Sequence, residues 1–362
     1  MRKNYIDNLR WMAILLLIPY HAAMAWNVWQ EPNYIFFEGN QIISSIIVFL
    51  NPYFMPLLFL LAGISTKFAL EKRTVKQYFS DRAKKLLVPF IFGTLFLMPI
   101  MTYFADKFNF GYNGNIFQHY GVFFTKFTDL TGADGGFSAG QFWFILYLFV
   151  ILIIAIGVIA LQKKLSLNVK KDIPLWLICI LGVPLPLLSE LLSIGGKSLV
   201  EYTYIFLIGY YLFSKDTVII KIAKHKWIFL TIGLATAILN VYLFIWSDTK
   251  FQILNIIAKY ISEWFMLIAL LGIGKGCLNF KIKLSVYMSQ RSFAFYILHF
   301  VWVVLFQYLM ADVLQNNTIL LYTVPVLLAY CTTFISCEIC LRLPFLCSFM
   351  GIKYSNKKHY ER

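Results

Sequence analysis

The chain has 362 residues, 60% of them hydrophobic and only 14% charged, with a mean hydropathy of +0.72. A soluble domain carries about 25% charged residues. Apolar runs of about 18 residues or more recur along the whole length, which excludes a soluble globular protein and equally the short alternating segments of an outer-membrane barrel. The net charge of +15 would suit a nucleic-acid partner if it gathered on one surface, so its distribution decides the matter.

The first apolar stretch opens with Arg10 and encloses His21, eleven positions later. On an ideal helix that spacing turns by about 1100° and rises roughly 16 Å, so both side chains share one face. With Arg10 at the cytoplasmic edge, His21 lies about halfway through a hydrocarbon core roughly 30 Å thick. Ionisable groups at such depth face a cavity or a partner helix. The stretch resembles a signal sequence, with Arg2 and Lys3 ahead of it and Ala23-Met24-Ala25 as a cleavage-like site. Its apolar run from Trp11 to Val28 is longer than a signal core, which favours an uncleaved first span.

The expected fold class is all-α, a polytopic transmembrane bundle of about ten spans. They fall near 9–29, 42–66, 86–104, 141–161, 173–190, 199–213, 227–246, 252–274, 292–311 and 318–342. With both termini cytoplasmic, the inner segments hold 27 of the 32 Lys and Arg and the outer loops four. That asymmetry sets the orientation and accounts for the net charge, so no nucleic acid is called for and the lipid bilayer of the cell membrane is the expected surrounding. The longest outer segment, Ala105 to Gly140, contains Asp129-Leu-Thr-Gly-Ala-Asp-Gly-Gly136 and is expected to cover a site from above. Pro19 is expected to free a carbonyl one turn below it and bend the first span beside His21. The six cysteines fall outside the outer loops, and the lone Cys337-x-x-Cys340 suits packing better than a metal; no metal site is expected.

Few residues in the spans carry chemistry. His21 and His299 lie within predicted spans, whereas His119, His225 and His359 fall in loops or the tail. The second cytoplasmic loop gathers Lys67, Lys72, Arg73, Lys76, Arg82, Lys84 and Lys85. These cations serve topology, and three of them at 82–85 could also hold phosphates at the membrane edge. Lys259 and Glu263, one turn apart, are expected to neutralise each other, and Glu338 is expected to pair with Arg342. Glu263 stands apart because its depth resembles that of His21. Trp143 and Tyr147 open the fourth span at the outer face, where they anchor the helix or stack on a sugar.

Six short motifs run in order along the chain. They are Tyr5-Ile-Asp-Asn-Leu-Arg10 with His21, Met55-Pro-Leu-Leu-Phe-Leu-Leu-Ala-Gly63, Arg82-Ala-Lys-Lys-Leu-Leu-Val-Pro89, Gly140-Gln-Phe-Trp-Phe-Ile145, Ser292-Phe-Ala-Phe-Tyr-Ile-Leu-His299 and Gly351-Ile-Lys353. In this order the chain resembles the acyltransferase-3 family of bacterial integral-membrane acyltransferases, and the Ile18-Pro-Tyr-His21 segment is similar to that of the glucans biosynthesis protein C branch. The departures are Ala62 for a frequent serine, a lysine for the second arginine of the basic motif, and Gln141 for a frequent histidine. The resemblance covers 5–353 as one membrane domain and leaves 354–362 as a cytoplasmic tail.

The resemblance implies transfer of an acyl group from cytoplasmic acyl-CoA, a donor substrate rather than a resident cofactor, to a hydroxyl of an extracytoplasmic glycan or related acceptor. It implies His21 as general base, a role that needs neutral imidazole. Tyr296, His299 and Glu263 are the further catalytic candidates. Arg10, Arg82, Lys84 and Lys85 are candidates for binding the donor's phosphates, and Trp143 and Gln141 for the acceptor. The competing expectation is a transporter of a small solute or acyl group without transferase activity.

Overall fold

The computed structural model describes residues 3–125, 127, 136–166, 173–248 and 251–352. Residues 129–135 of the long outer segment, Lys353 and the expected tail at 354–362 lie outside the described residues. In chain order the helices are α1 (Asn4–Leu15), α2 (Leu17–Met24), α3 (Gln41–Leu70), α4 (Val75–Phe110), α5 (Ile116–Phe123), α6 (Gly140–Lys164) and α7 (Leu175–Leu188). A two-stranded turn, β1 (Ser193–Ile194) with β2 (Lys197–Ser198), leads into α8 (Leu199–Phe213). Then come α9 (Asp216–Lys224), α10 (Lys226–Trp246), α11 (Gln252–Cys277), α12 (Lys283–Leu314), α13 (Thr318–Arg342) and α14 (Pro344–Phe349).

The architecture is all-α, and seven helices (α3, α4, α6, α10, α11, α12 and α13) are long and apolar enough to cross a bilayer. Three expected spans take other forms. The first is divided at Leu16, between α1 and α2. Pro19 has no N–H to give to the Leu15 carbonyl, and that carbonyl instead accepts a hydrogen bond of 2.7 Å from the Tyr330 hydroxyl. The Pro19 carbonyl accepts another, of 3.1 Å, from Tyr322. The expected freed carbonyl is therefore present, and α13 satisfies it. The fifth span is interrupted between Leu181 and Pro184, where Pro184 and Pro186 cannot continue the backbone ladder. The sixth, α8, is short for a core about 30 Å thick.

Where α3 crosses α8 the backbones nearly touch. A Cβ on Gly63 would sit 2.0 Å from the Phe206 carbonyl oxygen, and one on Gly209 would sit 2.4 Å from that of Leu60. Only glycine allows this crossing, which sets α8 against the middle of α3. Near the start of α1, Asn8 donates to the carbonyls of Leu278 and Phe280, at 2.7 and 3.0 Å, and ties α1 to the end of α11. Lys3 reaches Asp216 at the start of α9, 2.6 Å away, and holds that carboxyl below its ordinary value of 3.8.

Candidate active site

A cavity of about 540 Å³ opens between α1, α3, α4, α6 and α12. Its mouth is polar, lined by Asp7, Arg10, Arg73, Asp81, Arg82 and Lys85. Deeper in, Ile14, Leu58, Ile145 and Leu148 give it an apolar wall, and Tyr296 borders it from α12. Local sequence explains the mouth. Asp7 and Arg10 are one turn apart on α1, so the carboxylate reaches the guanidinium at 3.0 Å. The second guanidinium nitrogen donates to Ser65 Oγ at 2.8 Å, and Ser65 in turn donates to the Leu61 carbonyl. Arg10 is thus held from two sides where it lines the cavity. On α4, a capping box between Thr74 and Gln77 fixes the helix start. Arg82 then lies 5.2 Å from the Tyr78 ring centre and the Lys85 ammonium 5.3 Å from that of Phe293. Arg73 and Asp81 pair across the rim at 3.0 Å.

Of the four expected phosphate ligands, Arg10, Arg82 and Lys85 come together at this mouth, while Lys84 is exposed and outside the lining. Asp7, Ser65, Asp81 and Arg73 join them. Asp7 could have been read from its three-residue spacing to Arg10. Ser65 carries no comparable signal, because its role depends on how α3 packs against α1.

His21 is half-buried on α2 and does not line the cavity. The division at Leu16 lies between its half of the first span and that of Arg10. Its ring stacks on Phe300 at 4.1 Å between centres, with the Tyr20 ring edge-on at 5.5 Å and the His299 ring at 5.4 Å. His299 links it back to the cavity. The His299 Nδ1 lies 2.8 Å from the Tyr296 carbonyl, which can only accept, so Nδ1 carries the proton. The bare Nε2 is fully buried and has no hydrogen-bond partner among the described residues. The Tyr296 hydroxyl, in turn, donates to the Gln141 carbonyl. A continuous series therefore runs from the cavity wall at Tyr296, through His299, to His21.

The remaining candidates serve other contacts. Gln141 donates from its side chain to the Ile297 carbonyl at 3.1 Å, and so joins the start of α6 to α12 from both backbone and side chain. Trp143 is buried against Tyr147 and Tyr202, with the Lys197 ammonium 5.5 Å from its ring centre. Glu263, 1% exposed, lies beside Glu201 of α8, and among the described residues its Oε1 is buried without a hydrogen-bond partner. The structure does not bring Glu263 to His21; Lys259 donates to the Tyr260 hydroxyl at 3.3 Å and stays within electrostatic reach of Glu263. Glu338 pairs with Arg291 and Tyr287 of α12 instead of Arg342, because the facing helix offers closer donors than its own next turn. His119, expected in a loop, is buried on α5 and bonds Asp106 at the end of α4 at 2.9 Å.

These features define a multi-pass membrane protein with a cation-rimmed cavity that leads, through an aromatic and histidine series, toward the first span. A family model described as an acyltransferase domain matches residues 3–341, and the chain belongs to the acyltransferase-3 family. No curated protein and no solved structure matches it.

Proposed function

We propose that the protein is an O-acyltransferase of the cytoplasmic membrane, with both termini inside and the shorter helices α7 and α8 completing about ten spans. It takes an acyl group from cytoplasmic acyl-CoA and gives it to a hydroxyl of an extracytoplasmic glycan or related acceptor. The observation that carries this reading is the cavity, with Arg10, Arg82 and Lys85 at one end and Tyr296 at the other. Guanidinium and ammonium groups at the rim suit the phosphates of a nucleotide donor, and the apolar wall suits its acyl chain. Lys84 adds charge to the approach without lining the cavity.

His21 acts as general base. It takes the acceptor's hydroxyl proton as that oxygen attacks the thioester carbonyl, and it returns the proton to the departing thiolate as the C–S bond breaks. His299, its ring centre 5.4 Å from that of His21, holds the imidazole in orientation and leaves it open to the acceptor. Tyr296 holds the backbone around this pair through Gln141. Trp143, with the Lys197 ammonium at its face, offers a stacking surface to the acceptor on the outer side. Glu263 supports that surface through Glu201. Purified protein given radiolabelled acyl-CoA and membrane glycan tests the reading: His21→Ala abolishes label transfer, and transfer that persists in that variant refutes it.

The buried Glu201, Glu263 and Lys259 group favours one other reading, since transport pathways carry such groups within the membrane. Uptake of a solute into vesicles with no acyl donor present is the result that supports a transporter.

A further inference from the structure

The family match ends at residue 341, and the chain beyond α13 returns to the cavity. The segment is held firmly. Cys347 and Met350 are each 1% exposed, the Cys347 thiol donates to the Cys340 carbonyl, and the Phe349 ring stacks on Phe92 of α4 at 5.3 Å. The helix α14 closes with Gly351 N–H bonded to the Ser348 carbonyl and Ile352 N–H to that of Cys347, at 3.0 and 2.9 Å. This closure places Gly351 and Ile352 in the lining of the cavity, beside Lys85.

Two separate requirements select glycine at 351. Its φ of +62° lies in the left-handed region, and a Cβ there would come within 2.9 Å of both the Cα and the carbonyl oxygen of Lys85. The obstruction is backbone, so α4 itself would have to move. Lys85 and Arg82 are one turn apart on that helix, and both line the mouth.

We propose that the segment from Pro344 to Ile352 is a built wall of the donor site, and that Gly351 is its positioning residue, setting where Lys85 and Arg82 stand toward the donor's phosphates. This rests on the donor reading of the cavity given above.

The test measures coenzyme A binding to the full chain in nanodiscs by calorimetry, beside donor KM and turnover. Gly351→Ala weakens coenzyme A by about tenfold, the loss of one charge-assisted contact, and raises donor KM more than it lowers turnover. Gly351→Asn weakens it equally. Asparagine adopts the left-handed backbone more readily than alanine, so recovery in Gly351→Asn would assign the effect to backbone strain and overturn the contact with Lys85. Gly111→Ala is the control, since Gly111 has a φ of +64° with nothing within 4 Å of its added Cβ, and it leaves binding unchanged. If Arg10→Ala weakens coenzyme A and both Gly351 variants bind within about twofold of wild type, the wall proposal fails and the donor reading stands. If Arg10→Ala also binds normally, the donor reading fails and takes the proposal with it. Should the Gly351 variants not fold, Ile352→Cys is labelled with a small thiol reagent and read by peptide mass spectrometry. Protection by saturating coenzyme A supports the wall, and equal labelling with and without it overturns the proposal.

Discussion

Two halves of the molecule use charge in opposite ways. At the cavity mouth Arg10, Arg82 and Lys85 stand around open volume, with Asp7 and Asp81 present to aim and restrain the guanidinium groups. In the other half Glu201 and Glu263 lie side by side, Lys259 bonds Tyr260, and Trp143, Tyr147 and Tyr202 pack around them. Cations around a void are arranged for something that arrives, whereas carboxyls side by side among aromatic rings hold helices in place. Charge inside a membrane protein is thus read by what surrounds it, not by its depth alone.

Substitutions can break or sharpen this contrast. The largest effect is expected from His21→Ala, a loss of about two to four orders of magnitude in acyl transfer, with folding and coenzyme A binding retained. Arg10→Ala comes next. It raises donor KM by roughly tenfold to a hundredfold, with acceptor KM unchanged in steady-state assays. Glu263→Gln behaves differently, because its amide can donate to the Glu201 carboxylate. Turnover stays close to wild type, and chemical denaturation shows a change under about 1 kcal/mol, whereas Glu263→Leu strands Glu201 and costs about 1–3 kcal/mol. A large loss of turnover in Glu263→Gln would erase the contrast between the two halves. The smallest effect belongs to Asp216→Asn, under about 1 kcal/mol because the pair with Lys3 is exposed to solvent and screened. The Asp216 carboxyl is held below 3.8, so its contribution is present at neutral pH and lost as pH falls through that lowered value. A melting-temperature profile in acid shows wild type converging on the variant there.

Much of this was legible in the sequence because the bilayer imposes simple rules. Long apolar runs gave seven of the expected spans, and Arg10, Arg82 and Lys85 meet at one rim as their placement beside the first and third spans suggested. Pro19 announced the freed Leu15 carbonyl through its missing N–H. Three-dimensional contacts were hidden. Nothing local to α1 shows that Ser65 will take the Arg10 guanidinium, and Glu338 has a cation four residues away yet pairs with Arg291 across the helix interface. His119 looked like a loop residue because α5 is a short helix in a polar stretch, and its burial against Asp106 depends on α5 folding back over the end of α4. Depth along the span was not enough to place His21 either: Arg10 lines the cavity, whereas His21 packs against Phe300 and His299 outside its lining.

The hydroxyls of Tyr322 and Tyr330 hold the carbonyls of Pro19 and Leu15 from more than 300 positions further along the chain. The helix that carries His21 therefore gains these two anchors only when nearly the last crossing is laid beside it. Were His21 the base proposed above, transfer would wait until α13 is in place.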